Sequence, residues 1–177
     1  MRTRTEKILV VLRILAFMGA IGYSIDCGAQ LTSFVASFIN PEWAKRTYQV
    51  NLDISKIREQ SVWYYSYAMC LNIAISSLKV TIWYVVYSLL TKLKLQTPFS
   101  IEVEKKLEGI AYLSLAVWIV SGVFWKMYIN YLLQDTGIQL PANSNGDEYF
   151  FMAGVIYIVS QIFKHGIELQ EENQLTV

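Results

Sequence analysis

The chain is poor in the residues that interrupt helices or build reactive sites. Its 177 residues include three prolines, nine glycines, one histidine and two cysteines. With so few prolines and glycines, long uninterrupted helices are favoured over strands, and an all-α fold is expected. One histidine excludes a His-rich metal site. Cys27 and Cys70 form no CxxC pair and are expected to be buried small hydrophobes, although a disulfide between them is a geometric alternative.

Signatures of catalysis and of nucleic-acid binding are also missing. The sequence contains no HExxH, no GxSxG and no glycine-rich phosphate loop after a strand. A net charge of +1 gives no global basic field for gripping nucleic acid. We therefore expect a protein that is not an enzyme, that uses no cofactor or metal, and that does not bind nucleic acid directly.

What the chain does contain is long apolar runs. The run from Val62 to Leu90 carries a single charge, Lys79, and at about 1.5 Å per residue it exceeds the roughly 30 Å hydrocarbon core of a bilayer. With the other apolar segments it predicts four spans, at about 8–39, 54–91, 101–133 and 148–170. The expectation is a single four-span transmembrane domain, an all-α integral membrane four-helix bundle in a lipid bilayer. A soluble bundle is the alternative, because the mean hydropathy is only +0.35.

Segment lengths predict a projection beyond the bilayer. The first segment ends at Asn40, because a residue before proline disfavours helix. At about 48 Å it overshoots the bilayer, so it should emerge on the far side or bend near Gly22 or Gly28. With a second helix that starts after a cap at Asp53, it would form a long antiparallel hairpin.

Predicted N-caps mark the starts of the remaining helices, and the distribution of positive charge indicates the orientation. Ser100 is a predicted N-cap for the third helix and Asp147 for the fourth, whose apolar run is the shortest. Positive residues precede the first span and flank Pro98, which predicts that both termini and a short C-terminal tail are cytoplasmic. Lys45, Arg46, Lys56 and Arg58 in the opposite loop go against this orientation.

Polar residues at helical spacing predict a partly polar interior. Asn72, Ser76 and Lys79 share a face of the second span, and similar stripes on the first and fourth contribute Asp26 and Gln161. The remaining stripe members are Gly19, Gly22, Gln30 and Ser33 in the first span, Trp83 in the second, and Gly154, Tyr157, His165, Glu168 and Glu172 in the fourth. Interhelical hydrogen bonding explains such stripes, and a ligand or ion cavity is the alternative.

Lys79 needs a partner, because a charge at membrane depth costs at least about 2.5–3.5 kcal/mol. If Arg13 reaches a boundary near Thr91, Asp26 lies about 20 Å deep and Lys79 about 18 Å deep, so the two should pair. If the boundary lies at Lys7 instead, Gln161 is the nearer polar group.

Aromatic residues cluster at the predicted outer ends of the helices. An aromatic belt at the lipid headgroups explains them, and a site for a lipophilic ligand is the alternative. The residues are Trp43, Trp63, Tyr64, Tyr65, Tyr67, Tyr128, Tyr131, Tyr149 and Phe150.

Three strings carry a resemblance to a known family: SLKVTIWYVVYSLL, PFSIEVEKKLEGIAYLSL and the C-terminal IFKHGIELQEENQLTV. From about Ala68 to Val177 the chain resembles the bacterial four-helix membrane family catalogued as domain of unknown function 2975. That family has no established activity. Its members are typically inner-membrane proteins, often encoded beside a small helix-turn-helix regulator.

The resemblance implies a sensor or regulatory partner that binds such a regulator through its inner loop and tail. The contact residues would be Pro98, Phe99, Ser100, Glu168, Glu171 and Glu172, and the acidic tail could meet a basic DNA-binding surface. A solvated helix end is the simpler interpretation of the tail. The rival function is a small carrier or lipophilic-ligand-binding membrane protein that uses the polar interior around Lys79. A homo-oligomer is compatible with either function.

Overall fold

The computed structural model describes residues 4–40, 55–93, 99–138 and 146–175. The predicted cap Asp53 and the predicted contact residue Pro98 lie outside the described residues. The elements are α1 (Arg4–Ile39), α2 (Ser55–Gln60), α3 (Val62–Lys92), α4 (Ile101–Trp118), a π-helical segment (Ile119–Phe124), α5 (Trp125–Thr136) and α6 (Asp147–Leu175). No strand occurs in the described ranges, and the all-α prediction is confirmed.

Four helices are long and apolar enough to cross a membrane: Arg4–Ile39, Val62–Lys92, Ile101–Thr136 and Asp147–Glu172. In their most apolar windows only 6% to 28% of the residues are buried. Large apolar side chains of α1, such as Ile14, Met18 and Ile25, are more than half exposed. Water does not tolerate apolar surface on this scale, which argues against the soluble alternative. The chain is a multi-pass membrane protein.

The helices differ from the predicted segments in three details. α1 runs unbroken through Gly22 and Gly28, so the alternative of a bend is not needed. Ser61 has an extended backbone and separates α2 from α3, where one continuous helix was predicted. The long helix Ile101–Thr136 contains the π-helical segment, which no sequence signal had indicated.

The helices pack as two antiparallel pairs, and contacts between α3 and α4 connect the two pairs. α1 lies along α3 and α6 along α4, whereas α1 and α6 do not pack along each other in the described ranges. We call the end that holds Arg4, Lys92, Ile101 and Leu175 the terminal end. The opposite end, which holds Ile39 and Thr136, is the distal end.

An arginine closes each end of the α1/α3 pair. Arg13 Nε donates to the carbonyl oxygen of Leu90 at 2.7 Å, and its Nη2 donates to that of Thr91 at 3.4 Å. Arg58, in α2, donates to the carbonyl oxygen of Ser37 in the last turn of α1. The last carbonyls of a helix lack partners within the helix, and a guanidinium satisfies them and favours the helix dipole.

Two apolar cores follow each other along the molecule. The distal core joins α2, α3 and α5, and its buried residues are Ile57, Tyr65, Ala68, Met69, Trp125, Tyr128 and Leu132. The central core joins α3 and α4 with side chains of α6, and its buried residues are Ile75, Ile82, Leu89, Ile110 and Val117.

Candidate functional site

A polar cluster joins α1 to α3 midway along their length. Gln30 Nε2 donates to Asp26 Oδ2 at 3.1 Å and to Ser76 Oγ at 2.9 Å, and Ser76 Oγ donates to the same carboxylate oxygen at 3.4 Å. At the next position of each helix, Cys27 Sγ lies 3.4 Å from Ser77 Oγ. The contacts with Ser76 and Ser77 are the interhelical hydrogen bonds expected between polar residues of a membrane bundle, whereas the bond from Gln30 to Asp26 lies within α1.

Two of the predicted interior residues bond within their own helices. Asn72 Nδ2 donates to the carbonyl oxygen of Ala68 at 3.0 Å. Gln161 Nε2, in α6, lies 3.5 Å from Ser160 Oγ. Of the five residues predicted to share the interior, the structure therefore joins Asp26 and Ser76 by a hydrogen bond and holds Asn72 and Gln161 apart from them.

Lys79, the fifth, lies between two aromatic rings. Its ammonium is 5.5 Å from the ring centroid of Tyr149 in α6 and 5.9 Å from that of Tyr23 in α1. Both distances lie within the range of a cation–π contact. No ion pair of 4 Å or less joins Lys79 to a residue in the described ranges.

The structure supports the assumption from which the depth of Asp26 was predicted. Arg13 reaches Thr91, which is the condition under which Asp26 and Lys79 lie at the same level. The Asp26 carboxylate also acts electrostatically on the Lys79 ammonium. A direct pair between the two stays a prediction.

A cavity of about 330 Å³ adjoins Lys79, and all four long helices contribute to its wall. Its lining is mostly apolar and consists of Tyr23, Lys79, Ile82, Trp83, Val86, Ile110, Glu148, Tyr149, Met152 and Ile156. A largely apolar wall with a few polar groups at one place is typical of small-molecule sites.

The indole of Trp83 is held in the cavity wall. It stacks on Tyr23 with ring centroids 6.2 Å apart and an interplanar angle of 21°. A Cβ atom at Gly19 would lie 2.7 Å from Trp83 Cε3, so the indole occupies the space that a side chain at Gly19 would take. Gly19, a member of the α1 stripe, therefore leaves room for the Trp83 indole in the cavity wall.

At the terminal end, the start of α4 and the end of α6 meet through Phe99. Its ring centroid is 5.2 Å from that of Phe163, and its edge lies against Gly166, where a Cβ atom would be 2.8 Å from Phe99 Cδ1. The Ser100 side chain accepts from the Val103 amide, which makes it the N-cap of α4. We call the exposed side chains around this contact the terminal surface: Phe99, Glu102, Lys105, Glu168, Glu171 and Glu172.

Two carboxylates of the terminal surface have basic neighbours. Lys92 pairs with Glu102, and His165 Nδ1 lies 3.5 Å from Glu168 Oε2. Glu171 and Glu172 are exposed on the last turns of α6.

Tyr23 was missed from the sequence, although it precedes Asp26 by three positions and so falls on the same face of α1. Tyr149 was expected in the aromatic belt, with a lipophilic-ligand site as the alternative, and its position beside Lys79 was not predicted. Of the aromatic-belt residues, Tyr65 and Tyr128 are instead buried in the distal core. Cys27 is buried as expected, whereas Cys70 is exposed, and both are free. Among the described side chains, no group of three His, Cys, Asp or Glu residues is placed to hold a metal ion.

Comparison with known proteins adds one finding. A family model described as "Protein of unknown function (DUF2975)" matches residues 31–177. The match covers α3, α4, α5 and α6 completely and the distal part of α1. Neither a curated protein nor a solved structure matches the chain.

Proposed function

Because the chain belongs to the DUF2975 family of unknown function and has four helices able to span a membrane, we propose that it is a non-catalytic sensor in a bacterial inner membrane. In this proposal its terminal surface binds a cytoplasmic regulator of the helix-turn-helix type. The terminal surface must then face the cytoplasm, as the distribution of positive charge favours.

The contact between Phe99, Phe163 and Gly166 is the observation that carries the proposal. It brings the start of α4 and the acidic end of α6 to one place, although they are far apart in sequence. A partner that touches this surface would contact two helices of the α4/α6 pair at once. A shift of α6 along α4 would therefore change the binding surface, which is what a sensor requires.

The terminal end carries more basic residues than the distal end, although Lys45, Arg46 and Lys56, in the segment between α1 and α3, go against this orientation. Arg58 caps α1, and Lys126 Nζ lies 3.6 Å from Asp147 Oδ1. The terminal end carries Arg4, Lys7, Lys92, Lys105 and Lys106. The stronger positive bias at the terminal end supports cytoplasmic termini.

Helix lengths support a projection on the far side of the membrane. At about 1.5 Å per residue, α1 measures about 54 Å, α3 about 46 Å and the helix Ile101–Thr136 about 54 Å, against a hydrocarbon core of about 30 Å. In this proposal the excess lies at the distal end, where the distal core holds the helices together. The proposed projection thus contains α5 in addition to the α1/α3 hairpin.

Neutralising the acidic tail tests the proposal. The chain is co-expressed with a regulator of the helix-turn-helix type, extracted in mild detergent and purified through a tag on the chain. We expect Glu171→Gln with Glu172→Gln to lower the retained regulator about fivefold, since exposed ion pairs contribute up to about 1 kcal/mol each. Deletion of residues 169–177 should abolish retention.

The matched control changes the net charge equally at the other end. Asn130→Lys with Gln134→Lys also adds two positive charges, on exposed positions of α5. This variant should retain the regulator as the parent does. Full retention after both the neutralisation and the deletion would rule out the tail as the binding element.

The cavity beside Lys79 favours a second candidate function, a carrier or lipophilic-ligand-binding protein. Its wall combines the Lys79 ammonium and the Glu148 carboxylate with an otherwise mostly apolar lining, and all four long helices contribute to it. A regulator-binding sensor also needs a ligand site, so the cavity fits either function.

A further inference from the structure

The Lys79 ammonium has unused capacity for binding. An ammonium carries three N–H donors, yet in the described part of the chain its close partners are the faces of Tyr23 and Tyr149. The Asp26 carboxylate is engaged by Gln30 and Ser76. Glu148 is exposed in the first turn of α6, where the helix dipole stabilises its charge. An acidic group from outside the chain would find the donors of Lys79 available.

The cavity is polar at one end and apolar along the rest. Lys79, Glu148 and Tyr149 lie at its distal side, whereas Val86, Ile110 and Ile156 follow toward the terminal end. From Lys79 to Val86 the distance along α3 is about 10 Å. Ile82 and Ile110 are almost fully buried beside this path. The shape fits a molecule with a polar head and one apolar chain.

The cavity also has a route from the membrane. α1 and α6 each supply one of the two tyrosines beside Lys79, yet these helices do not pack along each other in the part of the chain that the structure describes. In a chain that spans a bilayer, such an opening between two helices would give lipid access to the cavity. A charged side chain at this depth and beside such a gap costs several kcal/mol unless an opposite charge meets it.

We propose that the cavity binds a single-chain amphiphile with an acidic headgroup, a carboxylate or a phosphate monoester. The headgroup accepts hydrogen bonds from the Lys79 ammonium, and the chain lies along Ile82, Val86, Ile110 and Ile156. The ligand enters between α1 and α6 from the bilayer. This binding does not depend on whether the terminal surface binds a regulator.

Quenching of Trp83 by a brominated ligand tests the proposal. The full chain is placed in phosphatidylcholine nanodiscs, and dodecanoate with bromine in its chain is added. We expect saturable quenching of tryptophan fluorescence, which Trp83→Phe should remove. Brominated dodecanol has the same chain and no acid. It should bind at least about tenfold more weakly, since the loss of a hydrogen bond between charged groups lowers the affinity by about that factor.

Two variants separate the headgroup from the chain. Lys79→Met should raise the apparent Kd for dodecanoate about tenfold or more, whereas Lys164→Met, at an exposed lysine of α6 outside the cavity, should leave it unchanged. Ile156→Phe keeps Lys79 and fills the chain path, and it should also weaken binding. Size-exclusion chromatography shows that each variant is folded.

Competition identifies the acid and its source. Displacement by dodecyl phosphate would show that phosphate monoesters bind as well, and a failure to displace would restrict the site to carboxylates; either supports the proposal. Displacement by inorganic phosphate alone would show that the chain is not needed and would overturn it. Equal affinity of Lys79→Met and the parent, or quenching that persists in Trp83→Phe, would also overturn it. Regulator retention is measured separately, so failure here leaves that result untouched.

Discussion

Gly19 and Gly22 occupy adjacent turns of α1 and differ in what surrounds them. A Cβ atom at Gly19 would lie 2.7 Å from the Trp83 ring, whereas one at Gly22 would have nothing within 4 Å. Gly19→Ala must displace an indole that stacks on Tyr23, and such overpacking costs about 1–3 kcal/mol. Gly22→Ala should be neutral or stabilising by up to about 1 kcal/mol, because alanine favours helix.

Thermal unfolding in detergent, followed by circular dichroism, measures both glycine variants. We expect Gly19→Ala to lower Tm by about 2–4 °C for each kcal/mol lost, and Gly22→Ala to leave it equal or higher. Equal Tm values for the two variants would mean that Trp83 moves without cost. Weaker dodecanoate binding by Gly19→Ala alone would link the same contact to the cavity.

For individual residues, the sequence indicated which of them share a helix face and which carry charge. Asp26, Ser76 and Lys79 were found from helical spacing, and Asp26 and Ser76 meet as the stripes suggested. That Tyr23 and Tyr149 lie beside Lys79 was not predicted, since spacing within one helix does not say which side chain of another helix it faces. The pairing of Asp26 with Lys79 depends on the same unknown and stays a prediction.

Among the helices, the arginine contacts at their ends can be tested directly by mutation. Arg13 and Arg58 each satisfy carbonyls in the last turn of a partner helix, one at either end of the α1/α3 pair. Arg13→Met should lower the free energy of unfolding by about 1.5–3 kcal/mol, the contribution of hydrogen bonds to a charged group. Arg13→Lys should recover part of the loss, because lysine keeps the charge and lacks the forked geometry.

Lys7→Met is the control for Arg13, since Lys7 is an exposed basic residue of the same helix near the same end. The measurement is the free energy of unfolding in mixed micelles. If Arg13→Met were as stable as Lys7→Met, the contacts to Leu90 and Thr91 would not contribute to stability.

Helix bounds could be predicted because apolar runs, Asn40-Pro41 and the cap at Ser100 are local signals. The extended residue Ser61 and the π-helical segment were missed, since neither contains a proline and the single glycine of the segment, Gly122, is tolerated within a helical pattern. A Cβ atom at Gly146 would lie 3.0 Å from Ser121 Oγ, so the start of α6 packs closely on the π-helical segment. That close approach is a tertiary cause, which a single run of sequence does not reveal.

For the whole molecule, segment length and hydropathy predicted four spanning helices. They did not predict which helices pack against each other. Side chains that face lipid and side chains that face another helix are equally apolar, so hydropathy does not indicate which helices touch. The structure shows α1 packed along α3 and separated from α6 by the gap beside Lys79. The polar interior expected from three stripes is thus divided between the α1/α3 interface and the cavity.

Orientation and projection together predict which positions a membrane-impermeant maleimide reaches. In a chain with Cys27→Ala and Cys70→Ala, single cysteines are placed at four exposed sites: Tyr112→Cys, Asn130→Cys, Gln134→Cys and Gln170→Cys. Lys106 bonds to Ser88 close to the boundary near Thr91, and measured from Lys106 a core of about 30 Å ends about 20 residues along the helix, near Lys126. Positions 130 and 134 should therefore be labelled in intact cells, and position 112 should not.

Position 170 distinguishes the two orientations. With cytoplasmic termini, Gln170→Cys reacts only after the membrane is permeabilised, whereas Asn130→Cys and Gln134→Cys react before. Labelling of Gln170→Cys in intact cells, with positions 130 and 134 protected, would invert the topology and remove the terminal surface from the cytoplasm. Labelling at 134 but not at 130 would keep the orientation and shorten the projection, because Asn130 lies about 6 Å nearer the membrane. The distal core would then lie partly among lipid headgroups, where the exposed indole of Trp63 is well suited to the interface.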